Sequence, residues 1–225
     1  AIGDNRNCHV VIAKHQTSGY GRFKKRWHSE ANGGLWMSIA SSIKKINNPS
    51  TITLAIGAVI AETLNDIGFK ETGLKWPNDI ICGMKKLGGI LVESYAIDED
   101  LTRIIIGIGI NFVNPSLSLD STRYDLQPTS LETISSDSFD KSQLTASIIV
   151  SIMNAIRDYD EYGFGQFFET YKKYDFLKGR NITVERNNDN LSGLNDGISE
   201  DGALVIINEI GRHHITNGSI IHIET

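Results

Sequence analysis

The strongest constraint on the fold comes from three strand-like segments that follow one another along the chain, at 74–82, 87–94 and 103–112. Only short turns separate them, at 83–86 and 98–100. Pro77 interrupts the first segment and removes a backbone donor, which places it at an edge, a bulge or the end of a strand. Strands joined by such short connections predict an antiparallel meander rather than a doubly wound parallel sheet, because parallel strands need long crossover connections.

An aperiodic segment at 15–27, with the sequence HQTSGYGRFKKRW, is the second defining feature. It lies between two apolar runs, 10–13 and 35–40, each of which predicts a buried strand. Gly19 and Gly21 allow backbone N–H groups to approach a ligand closely. The chain has a formal net charge of −5, but this segment contains four cationic residues close together: Arg22, Lys24, Lys25 and Arg26. Such a cluster suits a phosphate or a carboxylate, and the alternative is a solvated basic loop.

Helices are predicted on both sides of a second long loop. Residues 49–68 carry apolar side chains at helical spacing and end at a glycine. The loop covers 113–129 and contains two prolines. A further helix is predicted to begin near Asp140, and a shorter amphipathic segment covers 166–176.

The character of the chain changes at about residue 179. Short strands are predicted at 182–185, 197–198, 203–207 and 219–223, with turn sequences between them. Such a tail is typical of a small β-barrel-like module. We therefore predict two domains, at 1–177 and 178–225.

Composition narrows the classes of function. The pI near 5.7 and the lack of a basic patch argue against a nucleic-acid partner. No apolar run is long enough for a membrane span. Cys8 and Cys82 are isolated, which fits a reduced cytoplasmic protein better than a disulfide scaffold. The spacing of His213, His214 and His222 favours an ordinary surface over a metal site, so no metal site is predicted.

The most specific segment is Lys-Trp-Pro-Asn-Asp at 75–79. Taken alone, the segment is also compatible with a strand lysine whose amine reaches water, followed by an ordinary turn. It is followed by Lys-Leu-Gly-Gly-Ile-Leu-Val-Glu at 86–93 and Gly-Ile-Gly-Ile-Asn at 107–111. With the Gly-x-Gly-Arg loop, these segments form an ordered set that resembles the biotin–protein ligases. The resemblance runs from about residue 10 to the C-terminus.

The resemblance implies a fold and a reaction. The fold would be α+β, with a class II aminoacyl-tRNA synthetase-like mixed or antiparallel sheet and helices, followed by a small C-terminal SH3-like β-barrel. The reaction would be activation of biotin as biotinyl-AMP with ATP and Mg²⁺, then transfer to a lysine of a biotin carboxyl carrier protein, a subunit of a biotin-dependent carboxylase. A homodimer is possible, and neither a nucleic acid nor a membrane is expected as a partner.

The resemblance also implies a set of site residues. Arg22 and Lys75 would be catalytic, meeting the biotin carboxylate and the ATP α-phosphate. The same two residues, with Lys25 and with Asn111 facing the adenine, would bind ATP. Biotin would contact Arg22, Lys75 and the following residues: Gln16, Gly19, Tyr20, Gly21, Trp27, Gly88, Gly89, Gly107 and Gly109. The four glycines after Trp27 would line a slot that any side chain would fill.

Two departures from the family pattern leave alternatives open. Tyr20 stands where the family usually has arginine. The chain also begins at Ala1, too late to include the strand–helix element that precedes the first strand in these ligases, and it includes no N-terminal DNA-binding domain. A lipoate or octanoyl ligase of the same fold and a non-catalytic biotin-binding protein are therefore the alternative functions.

Overall fold

Two β-sheets and four helices make up the part of the chain that the computed structural model describes, residues 8–44, 48–115, 126–135, 137–186 and 189–224. The first part contains β1 (His9–Ala13), β2 (Gly34–Lys44), α1 (Ser50–Ile67), β3 (Thr72–Lys75), β4 (Asp79–Cys82), β5 (Lys85–Ala96), β6 (Leu101–Asn111), β7 (Gln127–Pro128), α2 (Leu131–Ile134), α3 (Lys141–Tyr162) and α4 (Gly165–Tyr174). The second part contains β8 (Asn181–Arg186), β9 (Asp189–Ile198), β10 (Leu204–Asn208), β11 (Gly211–Ile215) and β12 (Ser219–Ile223).

The first sheet confirms the antiparallel meander. Its strands lie in the order β1-β2-β6-β5-β4-β3, and each neighbouring pair is antiparallel. The short strand β7 adds a parallel pairing to the start of β5. Of the predicted loop at 113–129, residues 116–125 lie outside the described ranges, and the rest includes β7.

The prediction of one interrupted strand at 74–82 is wrong. Pro77 lies in a turn between two antiparallel strands, in which Lys75 is paired with Asp79. A proline removes a ladder donor in either arrangement, so the pattern alone does not separate a bulge from a tight turn.

The helices cover one face of this sheet. In β6, Ile104, Ile106 and Ile110 are buried, and Ile104 lines a small cavity with residues of α1 and α3. Because side chains alternate along a strand, the odd-numbered residues of β6, including Gly107 and Gly109, lie on the opposite face. Helix α1 ends at Gly68 in the left-handed conformation, and the Asp140 carboxylate accepts hydrogen bonds from two backbone N–H groups at the start of α3.

Strand β1 is exposed, which corrects the prediction of a buried strand at 10–13. Val11 is 64% exposed and Ile12 is 53% exposed. Among the described residues, β1 pairs only with β2 and lies at the edge of the sheet. Apolar composition predicted the strand, but burial depends on what packs over it. The run at 35–40 forms part of β2, and four of its residues are buried as predicted, namely Leu35, Trp36, Met37 and Ile39.

The second sheet has the strand order β11-β10-β9-β8-β12. The strands predicted at 182–185, 203–207 and 219–223 are confirmed. The sequence at 187–190, between the first two predicted strands, predicts a turn, but it falls partly outside the described ranges. Strand β9 already begins at Asp189, so only its end, at 197–198, was predicted. Strand β11 was not predicted at all. The sequence of β9 is rich in asparagine and glycine, which favour turns, but pairing with β8 and β10 holds it extended.

The turn between β9 and β10 contacts the first part of the chain. Trp76 Nε1 donates a hydrogen bond to the carbonyl oxygen of Gly202 at 3.2 Å. A methyl group on Gly202 would lie 2.8 Å from Thr51 Cγ2 in α1, so the fit is close. The connection from α4 also pairs with β3, through a bridge between Leu74 and Asp175. Within the described residues, no helix is both long and apolar enough to cross a membrane.

Candidate functional site

One row of paired residues crosses the first sheet. Following the strand registers, Lys75 pairs with Asp79, Asp79 with Gly89, Gly89 with Gly109, and Gly109 with Trp36. Residues directly opposite each other in a sheet point to the same face, and here it is the face away from the helices. The two glycines therefore leave a trough, with a charged pair at one end and an aromatic ring at the other. We call it the glycine trough.

Trp27 covers the glycine trough. A methyl group on Gly109 would lie 2.6 Å from Trp27 Cζ2, and one on Gly89 would lie 3.4 Å from Trp27 Cζ3. The indole also meets Trp36 edge-on, with ring centroids 6.2 Å apart. Among the described residues, the buried Nε1 of Trp27 has no hydrogen-bond acceptor. The resemblance implied that Trp27 contacts biotin, and in the structure its ring lies directly on Gly89 and Gly109.

The other two glycines of the predicted slot lie elsewhere. Gly88 is paired with Ile110 and shares its face, which is the helix side of the sheet. A methyl group there would lie 2.5 Å from the carbonyl oxygen of Gly109. Gly107 is on the trough side but one row further along, opposite Leu91, where a methyl group would make ordinary contacts. The structure thus brings together Gly89 and Gly109, with Gly107 beside them, and does not bring Gly88 to the same face.

A buried carboxylate and two ammonium groups lie at the charged end of the trough. Lys75 Nζ is 3.1 Å from Asp79 Oδ2, and Lys86 Nζ is 2.6 Å from Asp79 Oδ1. Burial disfavours the ionised carboxylate, but the charges and hydrogen bonds of Lys86 and Lys75 outweigh it, so the pKa of Asp79 lies below its ordinary value. The ion pairs keep Asp79 charged at neutral pH.

Sequence reasoning missed two members of this group. Asp79 was treated as a turn residue and Lys86 only as the first letter of a motif. The available signal for Asp79 was its position four residues after Lys75, on the far side of a proline-containing turn. For Lys86 no local signal exists, because the contact depends on the register shift between β4 and β5.

Arg22 connects the charged end to the second sheet. Its Nη1 donates to the carbonyl oxygen of Gly218 and its Nη2 to Asn217 Oδ1, each at 3.1 Å, in the turn between β11 and β12. Burial lowers the pKa of Arg22 and the nearby charge of Asp79 raises it. Since a guanidinium stays protonated even when its pKa falls somewhat, Arg22 brings a permanent charge close to Asp79.

The loop that carries Arg22 is closed by its own backbone. Trp27 N–H donates to the carbonyl oxygen of Gly19 at 2.9 Å, and Gly21 N–H donates to that of Lys25 at 2.8 Å. A methyl group on Gly19 would lie 2.9 Å from Gln16 Oε1, so Gln16 and Gly19 are in close contact. The Lys25 side chain is exposed.

Tyr20 ties this loop to β5. Its hydroxyl donates to a carboxylate oxygen of Glu93 at 3.2 Å, and Lys24 Nζ lies 4.1 Å from the centroid of its ring. The phenol therefore makes a contact of its own with a carboxylate, at the position where the resemblance led us to expect arginine.

Asn111 lies at the end of β6, on the same face as Gly109. It is buried, and its Nδ2 donates to the carbonyl oxygen of Thr129 at 3.0 Å. Through this hydrogen bond, the Asn111 amide holds the segment that follows β7. Among the described residues, no cluster of three or more His, Cys, Asp or Glu side chains is arranged to hold a metal ion.

Comparison with known proteins gives two family matches. Residues 3–111 match the model of the biotin/lipoate A/B protein ligase family, and residues 178–223 match the model of the biotin protein ligase C-terminal domain. Together the two models cover more than two thirds of the chain.

Individual relatives agree with these matches. The chain is 32% identical over 213 residues to the bifunctional ligase/repressor BirA of Bacillus spizizenii, covering 94% of this chain and 65% of that protein. It is 30% identical over 118 residues to a biotin–[acetyl-CoA-carboxylase] ligase of Mycobacterium tuberculosis, covering 49% and 42%. The biotin protein ligase of Aquifex aeolicus in complex with biotin and ATP superposes with a TM-score of 0.78 at 26% identity, covering 94% of this chain and 87% of that one. The chain spans just under two thirds of the length of the first of these relatives.

Proposed function

Since the chain belongs to the biotin/lipoate A/B protein ligase family, we propose that it joins biotin to protein in two steps. The first makes biotinyl-AMP from biotin and ATP, and the second transfers biotin to a lysine of a biotin carboxyl carrier protein. The observation that carries this proposal is the glycine trough under Trp27, with a cluster of cations at one end. A flat apolar slot that ends in positive charge suits a small ligand with a carboxylate tail.

The chemistry explains why cations are needed. A carboxylate oxygen of biotin attacks the α-phosphorus of ATP, an anhydride bond forms, and the bond to pyrophosphate breaks. Because two anions must approach each other, positive groups held in place lower the barrier. Lys75 and Arg22 are assigned this role. A neutral lysine amine of the acceptor then attacks the carbonyl carbon, an amide forms, AMP leaves and a proton is released.

The remaining residue assignments follow from the same proposal. Trp27, Gly89, Gly107 and Gly109 shape the biotin slot, and Gln16, Gly19, Tyr20 and Gly21 hold the loop beside it. Gly88 supports the slot from the opposite face, where a side chain would push against β6. Lys25 and Asn111 are assigned to ATP, for which Asn111 would exchange its hydrogen bond to Thr129.

Mg²⁺ is proposed to enter with ATP. The described residues offer no ready cage of three or more carboxylate, histidine or cysteine ligands. Such a cage is not required, because Mg²⁺ in nucleotide sites keeps several waters and takes phosphate oxygens as ligands. When bound, it would neutralise part of the phosphate charge. The protein's own share of that task is carried by the cations around Asp79.

The architecture allows a finer classification. We assign 1–177 to a catalytic domain of the class II aminoacyl-tRNA synthetase-like type and 178–225 to an SH3-like barrel. The antiparallel sheet with helices on one face supports the first assignment. The five short strands of the second sheet support the other, as does the start of the C-terminal family match at residue 178.

The proposal extends to partner and location. The acceptor is a biotin-dependent carboxylase subunit, as the name of the mycobacterial relative suggests. The reaction consumes ATP and free biotin, which fits the cytoplasm. We propose no nucleic-acid or membrane partner for this chain, and dimer formation is to be tested by sedimentation.

Two assays test the function. Biotin-dependent exchange of labelled pyrophosphate into ATP measures the first step, and labelling of a biotin carrier domain measures the second. Exchange with lipoate instead of biotin would favour a lipoate ligase. Tight biotin binding without any exchange would point to a non-catalytic binding protein. The match of residues 178–223 to a domain of biotin ligases favours biotin over lipoate.

A further inference from the structure

Two side chains of the loop at 15–27 reach out of it to other elements of the fold. Arg22 is bound by the turn at 217–218 and has a role in the proposed chemistry. Tyr20 has no role in that chemistry, and its hydroxyl lies 3.2 Å and 3.4 Å from the two carboxylate oxygens of Glu93 in β5. We call the contact between Tyr20 and Glu93 the loop latch.

The loop does not follow local backbone preferences. Phe23 and Lys24 both have a φ of 56°, a left-handed conformation that residues other than glycine rarely adopt. Phe23 is also 63% exposed, so its side chain gains little from burial. Such a conformation persists only where contacts elsewhere hold it. The bonds that Tyr20 and Arg22 make just before this segment therefore help to decide where the loop lies.

Trp27 lies on the glycine trough and leaves no room for a ligand beneath it. A methyl group on Gly109 would lie 2.6 Å from Trp27 Cζ2 and 2.7 Å from Cε2, so the ring is already in contact with the backbone. A ligand carbon needs about 3.5–4 Å to the atoms on each side of it. The backbone N–H of Trp27 also donates to the carbonyl oxygen of Gly19. A displacement of Trp27 is therefore passed to the segment that carries Tyr20.

We propose that Tyr20 is a positioning residue, which through Glu93 holds the loop and Trp27 closed over the glycine trough both before and after biotin enters. The loop latch opens to admit biotin, closes behind it and opens again for release. It sets the rates at which biotin enters and leaves, and has little effect on the affinity. This inference rests on the proposed function, because biotin is the ligand concerned. It differs from the direct contact between Tyr20 and biotin that the resemblance implies.

The two roles of Tyr20 have different kinetic consequences. A bond that is present in both the free and the biotin-bound protein cancels from the free energy of binding. Because the loop latch is broken in the open state, its removal raises the population of that state, and biotin both enters and leaves faster. A contact with biotin itself exists only in the bound state. Its loss accelerates release, leaves entry unchanged and raises Kd.

Tyr95 provides a matched control two positions along β5 from Glu93. It lies on the same face of the strand, because side chains alternate, and it is 53% exposed. Tyr95→Phe removes a phenolic hydroxyl, as Tyr20→Phe does, without touching the loop latch. Glu93→Met removes the acceptor of the loop latch, and the double variant shows whether Tyr20 and Glu93 act through each other.

The first experiment follows biotin binding by stopped-flow tryptophan fluorescence, release by a chase of labelled biotin, and Kd by calorimetry, in variants that circular dichroism shows to be folded. We expect Tyr20→Phe and Glu93→Met to raise both rates by roughly 2- to 10-fold, the range for one hydrogen bond. The Kd should stay nearly the same. The double variant should match the single variants, and Tyr95→Phe should match the natural protein.

The second experiment examines the loop without a ligand. The loop contains sites for trypsin at Arg22, Lys24, Lys25 and Arg26, and none of the variants alters them. Cleavage of a folded protein at such sites depends on how often the segment opens. Tyr20→Phe should therefore accelerate cleavage by a factor similar to that for biotin entry, and Tyr95→Phe should not.

The outcomes separate the loop latch from the other roles of Tyr20. Faster release with unchanged entry and a higher Kd assigns Tyr20 to direct contact with biotin and overturns the inference. Unchanged rates in Tyr20→Phe, or additive effects of the two single changes, overturn it as well. If Glu93→Met does not fold, the rates of Tyr20→Phe decide alone. If the natural protein binds no biotin, the proposed function fails, and trypsin then decides: faster cleavage of Tyr20→Phe supports the loop latch, and unchanged cleavage overturns it.

Discussion

At the scale of single residues, the properties of the candidate site depend more on how deeply its charged side chains are buried than on their charges alone. A lysine at the end of a strand commonly lets its amine reach water. Lys75 does not, because it lies in the row beneath Trp27 and its partner Asp79 is buried as well. We therefore expect its removal to affect both the proposed chemistry and the stability of the fold.

Replacing Lys75 by methionine should slow biotin-dependent pyrophosphate exchange by roughly 10²-fold or more, because one preorganised donor is lost. The free energy of unfolding should fall by about 1–3 kcal/mol, since the buried Asp79 then loses one of its two ion pairs with lysine. Exchange assays and urea denaturation measure the two effects. A large loss of stability with near-normal exchange would remove Lys75 from the catalytic group.

The glycines of the trough allow a graded test. In Gly109→Ala, the new methyl group meets the Trp27 ring at 2.6 Å, so the indole must move. We expect biotin affinity to fall by about 10- to 100-fold, which corresponds to roughly 1.4–2.7 kcal/mol. Gly107→Ala is the comparison, because its methyl group would find ordinary contacts, and the loss there should be no more than a few-fold. Calorimetry measures both. Equal losses in the two variants would contradict the placement of Trp27 over Gly109.

At the scale of elements, the loop at 15–27 and the second sheet act on the same side chain. Arg22 belongs to the loop, and its guanidinium is held by the turn that contains Asn217 and Gly218. A side chain as long as arginine has many rotamers, and two hydrogen bonds at 3.1 Å restrict it. The second sheet thus orders part of the proposed anion site.

A double-mutant cycle tests this contact. Asn217→Ala removes one hydrogen bond to Arg22 and should lower the rate of adenylation by roughly 2- to 10-fold, in line with about 0.5–1.5 kcal/mol. In an Arg22→Gln background the same change should have little further effect, because the contact is already lost. Pyrophosphate exchange of the four proteins gives the coupling. Additive losses would indicate that Asn217 acts independently of Arg22.

Prediction from sequence succeeded for elements with a strong local signal. Helix α1 carries an apolar stripe and a terminal Gly68, and α3 begins at Asp140 as expected. It failed for β9 and β11, whose polar residues are extended only because neighbouring strands pair with them. It also failed for the burial of β1, which depends on the packing around it.

The placement of the candidate site residues in the fold was predicted to a similar degree. Lys75, Gly89, Gly109 and Trp27 were expected near one another and do lie together in the structure. Lys86 was missed because a shift in register brings it to Asp79, and the contact of Arg22 with Asn217 was missed because it joins residues 195 positions apart. Motifs report residues that are close in sequence, and both of these contacts depend on tertiary pairing.

At the scale of the whole molecule, the junction between the two parts contains a carboxyl group with an unusual affinity for protons. Asp175 follows α4, and its Oδ1 accepts a hydrogen bond from Leu177 N–H at 3.1 Å. Burial raises the pKa of Asp175 from 3.8 to about 6, although the N–H groups of Leu177 and Lys178 and the charge of Lys178 oppose the change. Burial raises the pKa of the Tyr171 hydroxyl on the same junction, and the charge of Asp175 adds to this increase.

This shift predicts a dependence of stability on pH. Because the native state binds the proton of Asp175 more tightly than the unfolded chain does, its stabilising contribution is present at low pH and is lost as the pH rises through about 6. Asp175→Asn should therefore raise the free energy of unfolding at pH 8 by about 1–3 kcal/mol, and have little effect near pH 4. Urea denaturation at the two pH values measures the difference.

Asp201→Asn is the control for this prediction. The pKa of Asp201 is lowered, first through its hydrogen bond from Ser199, so no gain in stability is expected from its loss at pH 8. A gain in both variants would indicate a general effect of removing negative charge. An equal gain for Asp175→Asn at both pH values would contradict the raised pKa.

The two hydrogen bonds between Arg22 and the turn at 217–218 also affect when, during translation, the Arg22 side chain can become ordered. Arg22 is synthesised well before the groups that hold its guanidinium, since 196 positions separate it from Gly218. The early part of the nascent chain can build its strands and helices while it is still tethered. The Arg22 guanidinium, to which we assign a contact with ATP, is held in place only after the turn at 217–218 has been synthesised and has docked. We therefore expect a partly translated chain to lack the ordered guanidinium on which the proposed adenylation depends.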